Sequence, residues 1–285
     1  MVQKLFVGSL LGFMVACSGG DTPIEEPKAE TKTEAKTDAP AKQMKKLDLA
    51  ELQKAAEEVA LVPSPAEMQK SLKNAGLSSD LAALVDANRK IEMTVADKDN
   101  LAVRTGVILA DLVLTVKTSS KESKLARLES LKAGFKGLGA GDDIQATIAD
   151  LGTQITNDAI NEDDLLKEMD ELSGVMVSEL EYEAGEWVVP LIQAGSWLEG
   201  ANLVSAAIVK ENKFEVAGQL LKQPRVVEYF LKYVEREGRN KAPDQVVTKL
   251  TTVLNDLKKI AEKDTMSADD VKQINSSTSD VLSML

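Results

Sequence analysis

Two carboxylates stand where a carboxylate is costly. Asp111 lies in the run Val107-Ile108-Leu109-Ala110-Asp111-Leu112-Val113-Leu114, and Glu199 lies within residues 187–209, the most apolar helix-length stretch after the N-terminal region. An acid among such neighbours must be paired, protonated or directed into a cavity. Held neutral, it can donate a proton as a general acid; held charged, it can grip a cation or a hydrogen-bond donor. Arg104 lies two turns from Asp111 on the same helical face and is its candidate partner. Ser196 and Asn202 flank Glu199 at three positions on either side and share its face, with Gly195 and Leu203 at four. Trp197 completes this group of candidate binding or buried polar residues, and Gly195, Gly200 and Ala201 would admit another backbone closely.

Other constellations yield to simpler readings. Glu122-Ser123 resembles the Glu-Ser pair of lytic transglycosylases, but none of that family's companion motifs follows. Gly137-Leu138-Gly139-Ala140-Gly141-Asp142 has neither a preceding strand nor a Lys-Ser/Thr pair, so it reads as a helix end and linker rather than a phosphate loop. Asp97 and Asp99 begin like a calcium loop, yet Leu101 and Ala102 occupy the third-ligand and turn-glycine places. The pairs Asp142-Asp143, Asp163-Asp164 and Asp269-Asp270 sit in first helical turns, where acids complement the helix dipole, so capping outranks metal binding. Residues 187–209 are interrupted by Pro190, Gln193, Glu199 and Asn202, which favours a core helix over a membrane span.

The chain of 285 residues has no histidine. Ser-His and Cys-His catalysis are thereby excluded, together with the usual nitrogen ligand of zinc, copper or haem and the Glu-x-x-His motif of helical di-iron sites. No metal and no cofactor is expected. The net charge of −12 opposes binding to nucleic acid or to an anionic lipid surface. With Cys17 the one cysteine, no intramolecular disulfide can form and the fold must rest on packing.

The N-terminus carries an address. Lys4 precedes an apolar stretch from Leu5 to Ala16, too short for an ordinary membrane-spanning helix, and residues 1–16 therefore read as a signal peptide. Met14-Val15-Ala16-Cys17 resembles the lipobox of bacterial lipoproteins, with Met14 where Leu is usual. The resemblance implies cleavage before Cys17, acylation of its thiol and new amino group with palmitate-like chains, and an anchor in the cell envelope. Ser18 after the cysteine favours the outer membrane, with the domain on its periplasmic or surface face. Residues 18–46 contain Pro23, Pro27 and Pro40, almost no large apolar side chain, and a balance of acids and lysines. Such a segment cannot bury a core and reads as a disordered linker, spanning ~30 Å on average and at most ~100 Å.

From Leu47 onward the spacing predicts helix almost throughout. The fold class is all-α, an irregular multi-helix bundle of about a dozen helices in one domain, residues 47–285, after the tether. Helices are expected from Leu47 to the Pro63-Ser64-Pro65 turn, from Pro65 with Ser64 as cap, and at about 78–95, 98–117, 120–136, 142–160, 162–182, 185–210, 214–221, 224–237, 243–263 and 267–284. Asp142, Asn161, Pro243 and Ser267 open segments, and Gly76, Gly139, Gly141 and Gly238 close them. The β-branched run 107–114 suits a buried strand, but its continuation from Leu101 favours a helix.

Asp99-Asn100-Leu101-Ala102, Gly106-Val107, Ala110-Asp111-Leu112 and Ala194-Gly195-Ser196-Trp197-Leu198-Glu199-Gly200 resemble short motifs of an uncharacterised family of helical bacterial lipoproteins. Aromatic residues are common in that family at the places of Ile108 and Leu114, which are aliphatic here. The resemblance implies the address and the helical fold, and it supplies no activity. Two functional readings follow. One is a lipid-tethered binding or scaffolding module with an envelope protein as partner. The other is an envelope enzyme acting on glycan or peptidoglycan with Asp111 or Glu199 as acid, which the shortage of aromatic platforms disfavours.

Overall fold

Ser64, followed by Pro65 and Glu67, starts the first helix as its spacing predicts. The Ser64 hydroxyl accepts from the Glu67 amide while the Glu67 carboxylate accepts from the Ser64 amide, a reciprocal capping box. In the computed structural model, which describes residues 62–169, 180, 185–236 and 244–285, no strand occurs among the described residues. The Cys17 signal, the linker 18–46 and the helix expected from Leu47 lie outside them, as do Pro243 and Gly238.

The helices are α1 (Pro65–Asn74), α2 (Lys98–Thr115), α3 (Lys121–Leu138), α4 (Asp142–Thr156), α5 (Val188–Glu211), α6 (Ala217–Leu221), α7 (Pro224–Val234), α8 (Gln245–Ala261) and α9 (Ala268–Leu282). Residues 162–169 are also helical. Side-chain caps explain most starts. Asp97 caps α2 and Ser120 caps α3, while Asp244 caps α8 and Ser267 builds a second capping box with Asp270. Asn161 accepts from the Asp164 amide, as a cap does. Gly139 closes α3 in the left-handed region at φ 102°, which a side chain would resist. Gly141 departs from expectation: it ends nothing and instead stands at the N-cap of α4 with φ −65°.

The main correction concerns residues 78–95. Only Leu81–Leu84 form a helical turn there, a 3-10 turn capped by Asp80, and the rest is irregular. Local side chains compete with helical hydrogen bonding. The Asp86 carboxylate accepts from the Asn88 amide at 2.9 Å, and the Glu92 carboxylate accepts from the Thr94 amide at 2.8 Å. Further along, residues 214–216 form a 3-10 turn before the five-residue α6 rather than one continuous helix.

α2 and α5 cross at the centre of the fold. Both are apolar on nearly every side, so burial all round, not an amphipathic stripe, defines them. α3 and the 3-10 turn pack on α2, α9 and α7 pack on α5, and α1 touches both central helices. The run 107–114 is thus helical. No helix among the described residues is long and apolar enough to cross a membrane, and α5 is a core helix.

Candidate functional site: an arginine between two buried acids

Small residues bring the acid-bearing helices together. A Cβ on Gly106 would collide with the backbone carbonyl of Ile192, and one on Gly195 with the carbonyl of Val103. Backbone therefore meets backbone at the α2–α5 crossing. Asp111 and Glu199 follow these glycines by five and four residues, roughly one turn beyond the crossing on each helix. Their residues are 3% and 1% exposed.

The cation between them is Arg89, from the irregular segment after the 3-10 turn. Its Nη2 donates to both Asp111 oxygens at 2.8 Å and lies 2.8 Å from Glu199 Oε1, while Nη1 donates to Glu199 Oε2 at 2.9 Å. One guanidinium thus ties a loop to two helices through paired, charge-assisted hydrogen bonds. Its Nε is buried without a hydrogen-bond partner.

The electrostatics follow from this crowding. Burial works against the charge of Arg89, but the Glu199 and Asp111 carboxylates outweigh it and hold the guanidinium's pKa above its ordinary value. Burial, reinforced by the negative charge of Asp111, pushes Glu199 up to about 7 despite the arginine. Asp111 is also raised, again chiefly by burial, while Arg89 and the more distant Arg127 pull it back. Both acids are raised, and for the same first reason, so burial favours the pair holding one proton between them.

Arg104 is buried but does not partner Asp111. Its Nε donates to Asn100 Oδ1 at 2.7 Å, Nη1 to the carbonyls of Glu92 (3.0 Å) and Leu285, and Nη2 to the carbonyl of Met284 at 3.1 Å. It clasps residues 92 and 284–285 against α2. Burial lowers its pKa, with Asp244 and Glu92 opposing that shift. Asn202 belongs to a different junction. Its Nδ2 donates to Asn275 O, Thr278 Oγ1 and Ser279 Oγ on α9, and Asn275 returns a bond to the Asn202 carbonyl. Trp197 donates from Nε1 to Gln223 at 2.7 Å and packs at 5.5 Å on Phe230. Ser196 is half-buried on α5, with its backbone at the Gly106 contact. Gly200 faces the side chain of Met68, not a backbone.

The lesser constellations resolve into caps. Glu122-Ser123 occupies the exposed first turn of α3, where the Ser123 amide donates to Ser120 Oγ. Asp97 caps α2 by accepting from the Asn100 amide at 2.8 Å. Among the described residues, no group of three or more acids or cysteines is arranged to hold a metal. No known family, curated protein or solved structure matches the chain.

Proposed function

We propose that the protein is a lipid-anchored cell-envelope module whose helical domain binds or scaffolds an envelope protein, held to the outer membrane through Cys17 and the segment 18–46. The observation that carries the non-enzymatic reading is the engagement of both candidate acids by Arg89. In an enzyme that uses two carboxylates on a glycosidic bond, the substrate occupies the space between them. Here the guanidinium fills that space, at 2.8 Å from each acid. The anchor is supported by the residues Met14-Val15-Ala16-Cys17 and by the polar, proline-containing segment behind them.

Metabolic labelling with a palmitate analogue tests the anchor. The full chain takes up label and sediments with membranes, whereas Cys17→Ser does neither; equal labelling of the two removes the lipoprotein reading. In-cell crosslinking then tests the module, which should give discrete adducts with an envelope protein. The enzyme alternative draws on Glu199, held near 7 within the working range of a general acid. Digestion of purified peptidoglycan by the wild type and not by Glu199→Gln would establish that alternative instead.

A further inference from the structure

The turn 86–90 is fastened in an unusual way. Asp86, Ala87, Asn88 and Lys90 are exposed, and Arg89 alone points inward. Val85 before the turn and Ile91 after it are buried in the core, so the two ends are fixed while the middle is not. Within the turn, the Arg89 amide donates to the Asp86 carbonyl at a long 3.3 Å. What presses the turn onto the α2–α5 crossing is therefore the contact of one guanidinium with two carboxylates.

We propose that the turn 86–90 is a proton-controlled strap, closed while the Asp111–Glu199 pair retains a shared proton and released when the pair loses it. With the proton present, the buried cluster holds one positive and one net negative charge and is balanced. Without it, two desolvated negative charges share the one guanidinium that hydrogen-bonds them, with Arg127 acting on Asp111 alone, and hydration of the second carboxylate requires the turn to lift. The closed form also leaves Arg89 Nε buried and unpartnered, a cost that lifting relieves.

The charges that face the pair are few. Arg89 comes from the turn, and Arg127 acts on Asp111 from α3, where it donates to Thr115 Oγ1 at 3.0 Å. α9 meets α5 through neutral groups, Asn275 and Thr278 against Asn202. α1 places Met68 against Gly200. The titration thus belongs to the two carboxyls, and Glu199, pushed up to about 7, is the one placed to lose its proton near neutrality.

A nitroxide at Asn88→Cys, in the full chain carrying Cys17→Ser, reads the strap directly, with a second label at Glu129→Cys on α3 as reference. At Asn88 the mobile fraction should grow several-fold between about pH 5.5 and about pH 8.5, while the α3 label stays unchanged. Glu199→Gln should hold the label immobile across that range, and Arg89→Met should leave it mobile throughout. A flat Asn88 profile in the otherwise native chain overturns the proposal, and this measurement stands even where a variant at the cluster does not fold. An unchanged titration in Glu199→Gln, or equal mobilisation of both labels, overturns it as well.

Discussion

Gly195 on α5 lies directly against the backbone carbonyl of Val103 on α2, and no side chain separates the two helices at that point. Gly106 makes the reciprocal contact with Ile192. This approach sets the spacing of everything one turn further on, including the reach of Arg89 to both acids. Gly106→Ala and Gly195→Ala should therefore each destabilise strongly, by about 2–4 kcal/mol, because the obstacle is backbone and cannot rotate away. Gly218→Ala on α6, with open space around it, should cost nothing or stabilise by about 0.5–1 kcal/mol. Chemical denaturation of the three variants checks this. Equal midpoints would mean that the crossing is not tight.

The three charges of the buried cluster should respond unequally to neutralisation. Glu199→Gln resembles the protonated carboxyl: its amide can donate to Asp111 and its oxygen can accept from Arg89. It should cost less than about 1 kcal/mol near pH 6. Asp111→Asn removes the charge, keeps one accepting oxygen and turns the other into a donor against Arg89 Nη2, for a loss of about 1–3 kcal/mol. Arg89→Met leaves two acids buried without a cation and should cost about 3–5 kcal/mol at neutral pH, and less in acid. Melting temperatures at two pH values give the order. A larger loss for Glu199→Gln than for Arg89→Met would contradict the assignment of the shared proton.

Much of this architecture is legible in the residue types and their spacing. Ser64 and Ser267 announced helix starts by type and position, while Asp97, read only against a calcium loop, proved to be a cap; the apolar character of residues 101–114 and 187–209 pointed to the two central helices. Asp111 and Glu199 were legible as misplaced charges. Their cation was not. Arg89 lies 22 residues from Asp111 and 110 from Glu199, and no local periodicity encodes a contact across such distances. The segment also read as helix, which put Arg89 on a regular face, whereas Arg104 offered itself seven residues from Asp111. The available signal was Asp86-Ala87-Asn88, an acid placed to accept from an amide two residues on. Arg104 turned instead to the carbonyls at residues 92, 284 and 285, acceptors that only the tertiary fold supplies.

Asn202 and Asn275 should behave as a coupled pair. Each donates to the other's main-chain carbonyl across the α5–α9 junction, at 3.1 Å in both directions. Asn202→Ala frees a carbonyl and two hydroxyl acceptors at once and should cost about 1–3 kcal/mol. The double variant with Asn275→Ala should cost less than the sum of the single ones, because loss of either side chain already loosens the α5–α9 junction on which the other's bond depends. Strict additivity in a double-mutant cycle would show that the two side chains act independently.

Stability should pass through a maximum on the acid side of neutrality. Glu199 has a folded pKa of about 7, above its ordinary 4.5, so the folded chain binds the extra proton between those values. Its contribution is complete below about 4.5 and is lost as pH rises through about 7, a fall on the order of 3 kcal/mol. Two other acids set the opposite limb. The Ser79 hydroxyl and the amides of Ser78 and Ser79 hold Glu211 down to about 2, and Lys263 with Ser267 does the same for Asp270. Their contributions are present above the ordinary carboxylate range and disappear as pH falls toward 2. Urea midpoints measured from about pH 3 to about pH 9 should therefore peak near pH 5. In Glu199→Gln the decline above the peak should flatten while the acid limb is unchanged. A wild-type profile still rising from pH 5 to pH 8 would show that Glu199 is charged in the folded state, and that Arg89 outweighs its burial.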